Sequence, residues 1–372
     1  MFKKENKKQK LLFCINSLST KGGGAEKILS IILNKLIFKG YKIELITFDK
    51  GKKKFFYDFS NKIKIHRLGN NILFTNKFLI HLNRIIILFF YLIKIKPKIA
   101  FGFMHSSYID ITFASIFLNL KVVACEHIIV DHFKNRKFEL FLINFVSLFV
   151  YKITVVTKQV KNKFSNFLQR KMTVIDNIID RSDYFKKTKF KRKKIILSVG
   201  RIADQKNFFT LIKAFKIFQN ENRNWKLLIV GDGFGKKLLL NQIKSLKLDK
   251  SVKILNFTKE LKKLYCNSSL YVSSSVYESL GLTVAEALIQ RLPCIAFSEC
   301  DGVNKLIKHD KNGLLIKGNM YNPKRLANSM IDLAKNKKKL LEMSNYHDPK
   351  FLLKNSKKVV LKKWIKLINE MS

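Results

Sequence analysis

Ser273-Ser274-Ser275-Val276-Tyr277-Glu278-Ser279-Leu280-Gly281-Leu282-Thr283-Val284-Ala285-Glu286-Ala287-Leu288 is the stretch on which the fold turns. It opens at the end of an apolar run, residues 270–273, and crosses a polar loop. A glycine then leads into residues 283–290, whose apolar positions recur at helical spacing. Strand, loop and helix in that order make one β-α unit. The same rhythm repeats on both sides. Upstream and downstream in this half, residues 195–199, 226–230, 252–255 and 294–297 read as strands, with helices over 208–220, 235–246 and 259–266. The first half reads likewise. Its strands are 11–15, 42–48, 99–103, 122–125 and 153–156, and its helices 25–39, 78–96 and 134–152, the last two unusually apolar. Between the halves lies a polar, lysine-rich stretch, 181–194. The pattern predicts an α/β protein with mainly parallel sheets. An N-terminal domain, 1–180, and a C-terminal domain, 195–348, are joined by that linker, and a basic amphipathic helix, 349–372, packs against either domain.

With 372 residues, 47% hydrophobic and 27% charged, the chain can bury a core in each half, which excludes a wholly disordered protein. Its 73 Lys+Arg against 26 Asp+Glu give a net charge of +47, enough to attract phosphates, nucleic acid or an anionic membrane. A coding bias toward Lys, Asn, Ile and Phe would produce the same excess. The five cysteines are widely spread with no C-x-x-C spacing, so neither a disulfide framework nor a zinc ribbon is expected. The lysine-rich start leads into an apolar run too short for a secretory signal. Residues 85–93 and 140–151, the most apolar, fall short of the about 18 residues that a membrane span needs. The expectation is a cytoplasmic chain, peripheral at the inner face of the membrane.

The opening stretch also carries chemistry. Glu278 and Glu286 flank Gly281 at a helix N-terminus, where the N–H groups of Gly281 and Leu282 can hold a phosphate and the carboxylates can accept sugar hydroxyls. An exposed loop carboxylate and an unrelated helix-face carboxylate would look the same. Ser198-Val199-Gly200-Arg201 ends a strand and Lys206 follows in the same loop. Two cations at the carboxyl end of a parallel strand suit a diphosphate; a solvated surface lysine is the plainer reading of Lys206. Near the start, Lys21-Gly22-Gly23-Gly24-Ala25-Glu26 enters a helix without the third glycine of a dinucleotide fingerprint or the G-K-[ST] of a P-loop. It suits an anion or is simply a tight turn.

This set resembles the retaining, GT-B-fold glycosyltransferases of family 4, in order and over most of the chain. The resemblance rests on the glycine loop at 22–26, on Gly200, Arg201 and Lys206, on the turn Gly231-Asp232-Gly233, and on the E-x7-E pair. It implies two Rossmann-like doubly wound domains facing across a cleft. It further implies that Arg201 and Lys206, with Gly23, Gly24, Gly281 and Leu282, bind the donor diphosphate, and that Glu286 holds the ribose. Glu278, Ser279, Leu280 and Gly281 would meet the donor sugar. His127, in the pair Glu126-His127, is similar to the family's active-site histidine, so that His127, Glu278, Arg201 and Lys206 form the catalytic set. Asp301-Gly302-Val303 resembles the turn that faces the donor sugar or diphosphate. Asn177 departs from the family's Pro-Asn-Gly, with Asp176 and Ile178 on either side, and Gln290 stands where a glycine is frequent. His105 lies just past a strand and is a structural or a cleft residue.

The resemblance implies transfer of a hexose or N-acetylhexosamine from a nucleotide-sugar donor, UDP-sugar foremost, to a lipid-linked glycan or lipopolysaccharide acceptor. No cofactor is expected, and no metal, because there is no D-x-D motif and His127 with His132 lacks the H-E-x-x-H pattern. An anionic membrane is an expected partner; the oligomeric state is open. Two competing readings are a basic nucleic-acid-binding protein and an inactive GT-B scaffold. The first predicts exposed aromatics interleaved with basic residues, whereas the 32 phenylalanines sit mostly in apolar runs.

Overall fold

The computed structural model describes residues 9–19, 22–51, 54–69, 76–179, 192–346 and 348–371. The chain divides into two units: Met1–Ile178 with Lys358–Ser372, and Ile179–Lys357. The first boundary thus falls before the expected linker, whose residues 181–191 lie outside the described residues, as do the leader 1–8 and Lys21 of the glycine loop.

The first unit is built on a parallel sheet of β1 (Lys10–Ile15), β2 (Lys42–Thr47), β3 (Lys64–Arg67), β4 (Ile99–Phe103), β5 (Lys121–Glu126), β6 (Lys152–Val155) and β7 (Met172–Val174), in the order β3-β2-β1-β4-β5-β6-β7. Strands such as β1 and β4 read as unbroken apolar runs because helices cover both faces. Leaving β1, α1 (Gly24–Phe38) leads to β2. Three further helices, α2 (Lys77–Ile95), α3 (His105–Ser115) and α4 (Lys137–Val146), carry the chain stepwise from β3 to β6. Right-handed crossovers in that direction set α2, α3 and α4 side by side on one face, where they share a core with Leu12, Cys14, Ala100 and Ala124. Two short helices, α5 (Lys158–Asn162) and α6 (Asn166–Lys171), precede β7. Alternate strand residues point the other way: Phe13 stacks on Phe101 at 4.6 Å, and Trp364 on Phe103 at 6.0 Å.

The second unit repeats the plan with β8 (Ile195–Val199), β9 (Lys226–Val230), β10 (Val252–Leu255), β11 (Leu270–Ser273), β12 (Cys294–Phe297) and β13 (Gly313–Ile316), parallel and ordered β10-β9-β8-β11-β12-β13. Its helices are α7 (Phe208–Glu221), α8 (Lys236–Ser245), α9 (Leu261–Asn267), α10 (Leu282–Ile289), α11 (Val303–Leu306), α12 (Pro323–Lys335), α13 (Lys337–Asn345) and α14 (Pro349–Lys354). One side of the sheet is filled by α7 and α12, through Phe208, Leu211, Phe215 and Phe218 against Leu326, Met330 and Leu333. Asn322 caps α12 by accepting the N–H groups of Lys324 and Arg325, with Pro323 in the first turn.

The structure revises three readings. The C-terminal stretch 349–372 is not one helix: it is α14, in the second unit, and α15 (Lys357–Asn369), which belongs to the first except for Lys357. There Trp364 meets Phe101 and Phe103, and Lys363 Nζ lies 2.5 Å from Asp176 Oδ2. The helix expected over 134–152 is only α4, because a turn over 147–149 ends it ahead of β6. Finally, α2 is longer than the nine-residue apolar run it contains. Over Phe78–Ile95 its mean hydropathy is 1.9, so it is long and apolar enough to cross a membrane by length and composition alone.

Candidate functional site

In the second sheet the strand order reverses between β8 and β11: β9 and β10 follow on one side of β8, while β11 and β12 extend the other. Loops leaving two such strands diverge and open a crevice at their carboxyl ends. The two loops there are stitched together. Val276 N–H donates to the Gln205 carbonyl at 2.9 Å, Gln205 Nε2 to the Tyr277 carbonyl at 2.9 Å, and Ser274 Oγ to the Lys206 carbonyl at 2.7 Å. Across this seam Lys206 Nζ donates to Glu278 Oε1 at 2.5 Å, both side chains largely buried. Seventy-two positions apart in sequence, the two residues form one ion pair. Glycine at 200 permits it, since a Cβ there would stand 2.6 Å from Lys206 Cε. The turn Gly231-Asp232-Gly233 supports the loop: Ile202 N–H donates to the Asp232 carbonyl at 2.8 Å, and a Cβ at Gly231 would strike the Gly200 carbonyl oxygen. Arg201 is exposed at the head of the loop.

Gly281 caps α10 in the left-handed region, φ +79°. The N-terminus of α10 therefore faces the Glu278 loop without a side-chain cap hydrogen bond, as an anion site would require. The expected turn Asp301-Gly302-Val303 braces this loop from behind. At Gly302, φ +76°, a Cβ would meet the Glu278 carbonyl oxygen at 2.7 Å and the Leu280 nitrogen at 2.8 Å. In the first turn of α10, Thr283 Oγ1 accepts from Tyr271 Oη at 2.8 Å, and one turn on Glu286 Oε2 accepts from Tyr265 Oη at 3.0 Å. Burial and then the Glu286 charge hold the Tyr265 phenol well above its ordinary range. Leu280 corrects one expectation. Its side chain is buried in the core beside Val284 and Val303, so only its backbone can meet a donor sugar.

The first unit holds His127 just beyond β5, its ring stacked on Phe103 at 5.1 Å. Burial pushes its imidazole down to about 4, so it is neutral at physiological pH. Beside it Glu126 is buried, and burial pushes its carboxyl up to about 7 against the lowering hydrogen bonds from Tyr108 Oη, 2.7 Å, and Ile128 N–H, 2.8 Å. The carboxyl is thus turned to Tyr108 and the imidazole to Phe103. The glycine loop reads differently from expectation. Gly23 caps α1, but the Glu26 carboxylate lies over it, with Oε2 in the space that a Gly23 Cβ would take. A diphosphate at Gly23 and Gly24 would meet that like charge. After β4, His105 Nε2 lies 3.6 Å from Glu139 Oε2 and its buried Nδ1 has no hydrogen-bond partner. With His132 the two bring ligand atoms within 4.8 Å of one another, a spacing that can hold a metal ion, although Arg136 Nη1 sits 3.4 Å from the other Glu139 oxygen.

The structure therefore joins Gly200, Lys206, Glu278 and Gly281 at one crevice of the second unit and sets Glu286 on α10 against Tyr265. It places His127 in the other unit beside a group, Glu126, that sequence singled out only as its neighbour. Residues 180–348 match the family model of glycosyl transferases group 1. The amylovoran biosynthesis glycosyltransferase AmsD of Erwinia amylovora is 27% identical over 81% of this chain and 84% of its own. A Campylobacter jejuni α-1,4-N-acetyl-D-galactosaminyltransferase, named for a diNAcBac-PP-undecaprenol-linked acceptor, is 25% identical over 97% and 99%. HepE of Anabaena, solved with UDP and glucose, superposes with a TM-score of 0.77 at 18% identity, over 97% of this chain and 100% of its own. Residues 180–348 thus resemble a group 1 glycosyltransferase domain, within a chain of GT-B fold, two Rossmann-like parallel-sheet units in succession.

Proposed function

We propose that the protein is a retaining, metal-independent glycosyltransferase that moves a hexose or N-acetylhexosamine from a UDP-sugar to a lipid-linked glycan or lipopolysaccharide acceptor. The observation that carries this reading is the Lys206–Glu278 pair at the strand-order reversal, next to the left-handed Gly281 and the N-terminus of α10. A diphosphate brings more negative charge to Lys206 than one carboxylate does, so it competes for the ammonium and leaves Glu278 to accept a sugar hydroxyl. Arg201 and the α10 N-terminus hold the remaining phosphate oxygens, and Glu286, oriented by Tyr265, takes the ribose. The anomeric C–O bond to the diphosphate breaks while the acceptor oxygen bonds to the same face, and its proton passes to the departing phosphate. Stabilising that departing charge is the chief catalytic task. His127 contributes as a neutral hydrogen-bonding group toward the sugar. The lipid-linked acceptor follows the named acceptor of the Campylobacter relative, and the nucleotide follows the UDP in HepE.

The test is a thermal-shift panel of UDP, GDP and their sugars, with duplex DNA, on wild type and Arg201→Ala. A ligand held at 100 times its Kd stabilises the native state by about 2.7 kcal/mol. Stabilisation by UDP alone that vanishes in Arg201→Ala is expected. Stabilisation by DNA and by no nucleotide would replace this reading with the nucleic-acid one.

A further inference from the structure

Beyond β4 and β5 the first unit gathers metal-binding side chains from three separate elements. Met104, at φ 71° and ψ 150°, turns the chain sharply off β4, so that His105 heads α3. A residue with a Cβ keeps that backbone only where its surroundings fix it. Here Met104 N–H donates to the Cys125 carbonyl at 2.9 Å, and its own carbonyl accepts from Ser107 and Tyr108 N–H at 2.9 and 3.0 Å. His132 lies in the 3-10 turn Val130–Phe133 that follows β5, and Glu139 in the first turn of α4. Phe133 is buried, and both imidazoles stand nearly perpendicular to its ring, at centroid distances of 5.1 and 5.2 Å. One ring thus orients both histidines.

The donor atoms of His105, His132 and Glu139 all lie within 4.8 Å of one another. His105 Nε2 and Glu139 Oε2, at 3.6 Å, are too far apart for a hydrogen bond, and the buried His105 Nδ1 has no hydrogen-bond partner. An imidazole so placed ordinarily has its polar atoms satisfied. Around a tetrahedral zinc ion, donors about 2.0–2.1 Å from the metal lie about 3.4 Å apart. The 3.6 Å separation is therefore close to that of two ligands of one ion. Two imidazoles and one carboxylate suit a transition metal, whereas calcium and magnesium take oxygen ligands. The five cysteines are buried and outside the cluster, so thiolates do not compete for the metal. Nearby groups are held elsewhere, Asp131 by Lys134 and Lys163, and His81 by Asp110. Arg136, 3.4 Å from Glu139 Oε1, is the competing cation; its exposed side chain can swing into solvent.

We propose that His105, His132 and Glu139 bind one zinc ion, with a fourth position left to solvent, and that the ion fastens the loop beginning at His127 to α3 and α4. Its three ligands come from parts of the chain that no hydrogen bond between these side chains ties together, so the ion adds a cross-link where the loop leaves β5. The site stands independently of the transferase reading. All its ligands belong to the first unit, the diphosphate is assigned to residues of the second, and the test reads metal and not transfer.

Untagged full-length protein is stripped with chelator and dialysed against graded zinc, and its metal content is measured. One zinc per chain is expected for wild type and for His309→Ala, which removes an exposed histidine beside Asp310. His132→Ala and Glu139→Gln are each expected to weaken binding at least tenfold. Arg136→Gln, without the competing cation, should tighten it at least threefold. Cobalt(II) gives a readout on wild type that survives if a variant misfolds: it should develop the strong visible bands of a tetrahedral ion, and zinc should bleach them. Zinc should also slow hydrogen exchange over residues 127–139. No zinc on wild type, equal binding by Glu139→Gln and His132→Ala, or loss of zinc in His309→Ala would each overturn the proposal. So would cobalt bands of an octahedral ion alone, an Arg136→Gln variant that binds no more tightly than wild type, or exchange over 127–139 that zinc leaves unchanged.

Discussion

The two units carry the same crevice and fill it with opposite charge. In each sheet the order reverses beside the first strand, between β1 and β4 in one unit and between β8 and β11 in the other. In the second unit that crevice presents Arg201, the Lys206–Glu278 pair and the α10 N-terminus. In the first, the glycine loop delivers the N-terminus of α1, but Glu26 lies over Gly23, so the positive helix end is answered from within the chain. Topology supplies the place for a ligand; side chains decide whether it is offered or closed. The helix layers differ as well. In the second unit α12 turns its apolar side onto α7 and the sheet, whereas in the first the buried α3 leaves α2 and α4 with apolar sides facing out.

The sharpest way to break the comparison is to remove the charge from the second crevice. Arg201→Ala and Lys206→Met are each expected to lower the transfer rate by about 100- to 1000-fold, as loss of one preorganised donor does, measured as sugar transferred per enzyme with saturating acceptor. Lys206→Met also leaves the largely buried Glu278 without its cation. Adding Glu278→Gln should therefore restore stability to the single variant without restoring rate, a coupling that a double-mutant cycle reads.

Next in size are two neighbouring groups of the first unit, Glu126 and His127. The Glu126 carboxyl, at about 7 in the folded chain against 4.5 ordinarily, favours folding most below pH 4.5 and loses that contribution as pH rises to 7. The His127 imidazole, at about 4 against 6.5, works the other way, its contribution present above pH 6.5 and lost as pH falls through 4. The two offset each other between those limits, by at most about 3 kcal/mol. Glu126→Gln leaves only the histidine, so its Tm should fall more steeply on acidification than that of wild type. A parallel fall in both proteins would remove Glu126 from the account.

Gly302→Ala should cost about 2 kcal/mol in urea unfolding, because a methyl group at φ +76° meets the backbone of residues 278–280. It should weaken UDP binding with it. The smallest effect belongs to the first crevice: Glu26→Gln is expected to change the transfer rate less than threefold. A large loss there would show that both crevices work alike.

Much of this was legible from residues alone. Strands β8 to β12 fall where short apolar runs predicted them, since a strand buried on both faces needs little more than that composition. The helix α3 escaped because it is buried on nearly every side and has almost no amphipathic period. Helix α12 carried a readable start in Asn322-Pro323, and β13 offers only the apolar trio Leu314-Leu315-Ile316 after its glycine.

The sequence by itself determined the two β-α series, the glycines at 200 and 281, and the residue types that suit a diphosphate. Their local spacing required only neighbours along the chain. Tertiary structure alone decided that Lys206 meets Glu278, that Glu26 covers Gly23, that Leu280 turns into the core, and that the rings of α2 and α4 face outward. Each of these follows from which strand lies beside which and which helix fills the inner layer. Periodicity reports that a helix has an apolar side; only packing reports whether anything covers it.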